Sequence, residues 1–238
     1  MISLVAPAKL TVSLRVTGVR DDGHHLLDAE MVCLDLHDTL HLVDADRVTV
    51  RATGPAAPPG GLGDDDLVAR ALRLVDRTAA VEIDKQIPTG AGLGGGSADA
   101  AAVLRWAGGV GPDDAVRLGA DVAFCLVGGR ARVRGIGDLV EPLPHIERVV
   151  TLLTPPLHCS TPAVYRRWDE LGGPSHDSGN DLEPAALDVY PELASWRDRM
   201  VDLTGAEPRL AGSGSTWWVD GAFEGPGLIT ARTIPAPI

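Results

Sequence analysis

Basic residues are outnumbered in this chain: 21 Lys and Arg stand against 33 Asp and Glu, a formal net charge of −12. A nucleic-acid-binding face needs a basic stripe, so that class of partner is set aside. Small anionic ligands are not, because local positive patches survive in an acidic protein. Cysteine is scarce too. Cys33, Cys125 and Cys159 form an odd set with no CxxC or metal-type spacing, and read as reduced thiols of a cytosolic protein. No apolar run approaches the length of a membrane span. The first residues lack the basic start, long apolar run and cleavage site of a secretory leader. The expectation is a soluble cytoplasmic protein without a membrane partner, monomeric or homodimeric. Lysine is the rarest charged type: only Lys9 and Lys85 occur, and every other basic residue is arginine. An ammonium and a guanidinium are not interchangeable, so both positions are candidates for chemistry.

What is there fits a globular chain. The 238 residues are 45% hydrophobic and 23% charged, enough for one large or two small domains. Alternation predicts a strand from residue 2, a break at Pro7 and a second strand through Leu10, Val12, Leu14 and Val16. Further strands are expected over 24–43, 48–52, 81–84, 130–134, 148–154, 209–211, 217–219 and 228–233. Helical periodicity covers 67–75, with Asp64 to Asp66 as N-cap and acidic first turn. Other helices are expected over 98–107, 112–118, 161–171 and 184–204. The apolar run Asp121–Val127 reads as a strand that forms a hairpin around Gly128-Gly129. Trp217-Trp218 reads as core packing or, if exposed, as a dimer contact. The order suggests an α+β fold, with residues 1–148 as a first lobe and 149–238 as a compact second one.

The densest feature is Pro88-Thr-Gly-Ala-Gly-Leu-Gly-Gly-Gly-Ser-Ala-Asp99, with five glycines between Gly90 and Gly96. It lies between an expected strand and an expected helix. Amide groups of such a loop form an anion nest, and the helix N-terminus behind it adds free N–H donors and partial positive charge. Ser97 falls at the expected N-cap. A turn needed only for close packing is the alternative; the strand–loop–helix placement favours phosphate. No Gly-Lys-Ser/Thr closes the loop, so it is not a Walker A sequence. Its position in mid-chain weakens the dinucleotide reading.

The run Pro88-x-x-x-Gly92-Leu93-Gly94-x-x-Ser97-x-Asp99-Ala100-Ala101 resembles the central motif of the GHMP kinase superfamily. Ala6-Pro-Ala-Lys9-Leu10 resembles that family's first motif, and Arg209-Leu-Ala-Gly212-Ser213-Gly214-Ser215 its third. Asp22-Gly-His-His25, Leu34-Asp-Leu-His-Asp-Thr-Leu40, Leu118-Gly-Ala-Asp121, Thr161-Pro-Ala-Val-Tyr165 and Gly179-Asn-Asp-Leu-Glu183 are similar to the branch that phosphorylates a CDP-linked methylerythritol. The resemblance implies the two-lobed GHMP kinase fold, with an N-terminal lobe of ribosomal-protein type and a ferredoxin-like C-terminal lobe. It also implies a kinase using ATP and Mg²⁺, with a small CDP-linked sugar alcohol as substrate.

Residue roles follow from the same resemblance. Asp121 would take the proton of the acceptor hydroxyl, and Lys9 would stabilise that carboxylate or the transferring phosphoryl group. Pro88, Thr89, Gly90, Ala91, Gly92, Leu93, Gly94, Gly95, Gly96, Ser97 and Ala98 would wrap ATP, with Lys85 near the adenine and Ser97 and Asp99 as candidate Mg²⁺ ligands. His24 and His25 would meet the cytosine, one ring by stacking and one by hydrogen bonding. Tyr165 would cover the other face, with Thr161 nearby. Thr11 and the turn Gly212, Ser213, Gly214 complete the substrate side. Thr11, His24 and Asp66 stand where the family usually has Asn, Tyr and Asn. A homoserine- or mevalonate-type kinase, or a nucleotide-binding remnant without turnover, are the competing expectations.

Overall fold

The computed structural model describes residues 1–63 and 65–236; Asp64, expected in the first helix cap, lies outside the described residues. Two long strands, β1 (Ile2–Val19) and β2 (His25–Asp44), pair antiparallel. The expected break at Pro7 is instead a register shift between Pro7 and Lys9. Proline has no N–H to give the ladder, and an irregularity absorbs the loss without ending the strand. β2 also pairs with β4 (Ala79–Asp84) and β5 (Arg130–Gly135); β3 (Thr49–Thr53) runs parallel to β4. β6 (Leu139–Leu143), which periodicity did not predict, pairs with β5.

The second half contributes β7 (Val149–Leu153), β8 (Arg209–Leu210), β9 (Trp217–Asp220) and β10 (Leu228–Ile234). β10 pairs with β7 and, through Thr233 and Ile234, with Leu34 and Cys33 of β2. One strand therefore joins both groups.

Helices α1 (Leu67–Leu74) and α2 (Gly95–Ala107) pack against each other, and α2 also packs against β1. Ala98 through Leu104 are all buried. A helix enclosed on every side needs small residues, which explains the alanines after the glycine loop. After the short α3 (Pro112–Ala115) comes α4 (Ala120–Val127), where a strand was expected. An apolar run without alternation does not separate a buried helix from a buried strand, and here the helix packs on α2. The consequence for function is that Asp121 sits in a helical first turn. Beyond β7 lie α5 (Thr161–Glu170), α6 (Glu183–Val189) and α7 (Glu192–Thr204). The single helix expected over 184–204 divides at Tyr190-Pro191, because the residue before proline is disfavoured in the α region.

Trp217 and Trp218 are fully buried, so the core reading of that pair holds. The Trp217 indole N–H donates to the Leu193 carbonyl at 3.1 Å, and the Arg209 guanidinium lies 3.9 Å from the Trp218 ring centroid. No helix among the described residues is long and apolar enough to cross a membrane.

Asp66 is the N-cap of α1, with Oδ1 accepting from the amides of Val68 (2.8 Å) and Ala69 (3.1 Å). Its carboxylate is thus spent on the helix, although it borders the cavity beside the glycine loop. Asp66→Ala should cost about 1 kcal/mol and lower Tm by roughly 2–4 °C, with the KM for ATP unchanged. A raised KM without a change in Tm would make Asp66 a nucleotide contact instead.

Candidate active site

Lys9 follows the irregularity in β1, and Asp121 opens α4. The two meet: Lys9 Nζ is 3.2 Å from Asp121 Oδ2 and donates to Thr11 Oγ1 at 3.2 Å. Residues 9 and 11 share a strand face, as the two-residue period requires. The Lys9 side chain is 7% exposed and that of Asp121 35%, so the carboxylate is the wetter partner. It stands in the first turn of α4. Both line an open cleft of about 830 Å³.

The glycine loop forms one wall. The Lys9 amide donates to the Leu93 carbonyl at 2.9 Å, which ties loop to strand. The loop also abuts the turn Gly212–Gly214. The Ala91 carbonyl accepts from both the amide (3.1 Å) and the hydroxyl (2.7 Å) of Thr216. Gly92 has φ +78, and a Cβ there would lie 2.5 Å from the Gly214 carbonyl oxygen. Packing against backbone therefore excludes a side chain at this position. The cap of α2 is Gly94, not Ser97, which falls within the first turn; no side chain caps the helix. Its first-turn amides thus have no partner within the helix. The side chains of Leu93 and Ala98 turn into the core, so only their backbone can face a ligand.

The expected nucleotide residues border two connected regions. Gly90, Gly92 and Ser97 line the large cleft. Lys85, Pro88, Thr89 and Ala91 border a smaller cavity of about 270 Å³, as do Gly94, Gly95, Gly96 and Asp99; Gly90, Gly92 and Ser97 border both. Lys85, expected near adenine, is 4% exposed and its ammonium is engaged. It bonds Asp38 and, at 2.7 Å, Asp99 Oδ2. Asp38 was quoted in a motif above without a role. It is fully buried, and its Oδ1 accepts from the amides of Gln86 (2.6 Å) and Ile87 (2.8 Å). Asp99 has no such support, and its Oδ1 is buried without a partner. Burial works against the charge on Lys85, but the two carboxylates together raise its pKa. Burial pushes Asp99 up to about 7 against the attraction of Lys85, and repulsion from Asp38 adds to the rise.

Asp99, whose Oδ1 has no partner, and Ser97 border the same cavity, a donor set that suits a hard divalent cation. Among the described residues no three His, Cys, Asp or Glu side chains cluster for a metal. A cation here would take most of its ligands from phosphate and water, as Mg²⁺ commonly does.

At the far end of the cleft, His25 lies against Tyr165 with ring centroids 4.6 Å apart and against the edge of Trp168 at 5.7 Å. Its Nε2 is hydrogen-bonded to Asp169 Oδ1 at 2.8 Å. A planar base inserted between two rings needs roughly 7 Å, twice a van der Waals contact, so no base fits between His25 and Tyr165. The exposed His24 also lines the cleft. Thr161 Oγ1 and Ser213 Oγ are hydrogen-bonded at 2.9 Å. Asn180 holds the same turn, its side-chain N–H groups donating to the carbonyls of Leu210 (3.0 Å) and Gly212 (2.8 Å). Asn180, Asp169, His158 and Arg166 were missed as site residues. For Asn180 alone there was a signal, the Gly179-Asn-Asp motif.

Residues 66–129 match the GHMP kinases N terminal domain family. A Ruegeria pomeroyi protein described as 4-diphosphocytidyl-2-C-methyl-D-erythritol kinase is 39% identical over 247 residues, covering 90% of this chain and 87% of that one. A crystal structure of 4-(cytidine 5'-diphospho)-2C-methyl-D-erythritol kinase aligns with a TM-score of 0.78 at 30% identity, over 98% of this chain and 99% of the other. A homoserine kinase from Cytophaga hutchinsonii aligns with a TM-score of 0.58 at 16% identity, over 98% and 95% of the two chains, a likeness of fold alone.

The buried carboxylate leads to a pH prediction. The folded-state value for Asp99, about 7, lies above the ordinary 3.8, so the folded protein holds this proton more tightly than the unfolded chain. The contribution to stability is complete below the unfolded value and is lost as the pH rises through the folded one. Asp99→Asn is neutral at every pH. The native protein should therefore lose Tm relative to Asp99→Asn between about pH 4 and about pH 8. Parallel curves would mean that Asp99 is ionised throughout.

Proposed function

The chain belongs to the 4-diphosphocytidyl-2-C-methyl-D-erythritol kinase family of GHMP kinases, and we infer from this that it phosphorylates the tertiary hydroxyl of the methylerythritol unit of that CDP-linked alcohol. ATP is the phosphoryl donor, and the reaction is a step of the non-mevalonate isoprenoid pathway, carried out in the cytoplasm. Homoserine and mevalonate kinases share the fold at 11–16% identity, which gives no support for their acceptors. A remnant without turnover is disfavoured by the intact Lys9–Asp121 pair.

That pair, 3.2 Å apart at the junction of glycine loop, third glycine turn and cleft, carries the reading. Asp121 accepts the proton of the acceptor hydroxyl as its oxygen attacks the γ-phosphorus. The bond from that phosphorus to the ADP oxygen breaks, and ADP leaves with the electron pair. Lys9 pairs with Asp121 and faces the charge that develops on the transferring group. Phosphoryl transfer otherwise needs positioning and charge neutralisation more than covalent chemistry. The free amides at the start of α2 supply part of that neutralisation for the polyphosphate. Mg²⁺, held by Asp99 Oδ1 and Ser97, would neutralise more of it. His24 stacks on the cytosine, Tyr165 closes its other face, and Thr161 and the Gly212–Gly214 turn border the sugar alcohol. The lobe boundary at residue 148 belongs to the same reading: the cleft draws Lys9 and Asp121 from one side of it and Tyr165 and Ser213 from the other.

Release of ADP from Mg-ATP should require the CDP-linked acceptor. Turnover with homoserine or mevalonate instead would overturn the assignment of substrate, and ATP binding without any turnover would leave only a nucleotide-binding protein. Asp121→Asn should lower kcat by about 10²–10⁴ and leave the Kd for ATP within a few-fold; an undiminished kcat would remove Asp121 from the chemistry.

A further inference from the structure

Two polyphosphates must enter a cleft whose cations are mostly engaged. Lys9 is paired with Asp121, Lys85 is buried between two carboxylates, and His25 is bonded to Asp169. His158 differs. It follows β7, outside every motif considered above, and its exposed imidazole lines the cleft together with Lys9, Ser97 and Asp121. It has no hydrogen-bond or ion-pair partner among the described residues. The ring is seated on the first glycine of the loop: a Cβ built on Gly90, at φ +74, would lie 2.2 Å from His158 Nδ1. The absence of a side chain at Gly90 is what lets an imidazole from the second half of the chain rest on the loop.

From this placement we propose that His158 donates a hydrogen bond to a polyphosphate oxygen in the cleft and so closes the glycine loop over its ligand from the opposite side. Either tautomer has a ring N–H to give. The shared chemistry is a phosphoric anhydride, and its two sources are the triphosphate of ATP and the diphosphate of the CDP-linked alcohol. Contact with the glycine loop favours the first. The inference rests on the kinase reading, so the full-length native protein serves as the reference throughout.

Equilibrium binding of ATP, ADP and AMP and the KM for the CDP-linked alcohol separate the cases in His158→Ala, His158→Phe and His158→Lys. A hydrogen bond to a charged group corresponds to roughly a 10- to 100-fold effect. His158→Ala and His158→Phe should weaken ATP and ADP by about that factor, leave AMP and Tm unchanged, and be rescued largely by His158→Lys. A rise confined to the KM of the CDP-linked alcohol, again rescued by lysine, would support the proposal with the diphosphate as the ligand. Unchanged affinities, or an equal loss for AMP, would overturn it. Failure of the native protein to bind or turn over ATP would instead overturn the kinase reading on which it stands.

Discussion

Two stretches of backbone touch at the centre of this molecule, and the active-site cleft takes its shape from that contact. The Ala91 carbonyl receives two hydrogen bonds from Thr216, and Gly92 lies against the Gly214 and Ala211 carbonyls. Such an approach is possible only where side chains are missing. Because the glycine loop is also bonded to the strand that carries Lys9, the contact fixes the distance between that lysine and the third glycine turn. Asn180 secures the far side of the turn through two carbonyls. The site is thus assembled mainly by main-chain hydrogen bonds, which do not swing away as side chains do.

The two lysines divide the electrostatic work. Lys9 faces one carboxylate at the rim of the cleft, where water still reaches Asp121. Lys85 is placed between two carboxylates in the interior, beside the loop. Two buried carboxylates cannot both be compensated by one cation. Asp38 has two backbone amides to support it and Asp99 has none, so the excess falls on Asp99. A buried ammonium with no second role would be an expensive choice. Here it holds the start of α2 and the strand before the glycine loop to β2.

Much of this was legible in the sequence. Periodicity located the strands of both halves apart from β6, and the glycine run stood between a strand and a helix as expected. The pairing of Lys9 with Asp121 followed from the motif match; nothing in the spacing of residues 112 positions apart would have shown it. What was misread has local causes. Asp121–Val127 lacks the alternation that separates strand from helix. Asp66, by contrast, caps α1 as its place just before the helical periodicity suggested. Lys85 was expected near the base; its pairing with Asp38 and Asp99 could not be read in advance, because the partners come from other elements and only the folded sheet brings them together. His158 carried no motif at all.

The last strand gives the fold a particular order of completion. Among the described residues β10 is the only strand that pairs with both β2 and β7, and its pairing with Cys33 and Leu34 closes a loop of roughly two hundred residues. While the chain is being made, β2 must keep that stretch of its edge unsatisfied until residues 228–234 have left the ribosome. The cleft spans the halves that this strand sews together, so the nascent polypeptide cannot grip a nucleotide properly before β10 has emerged.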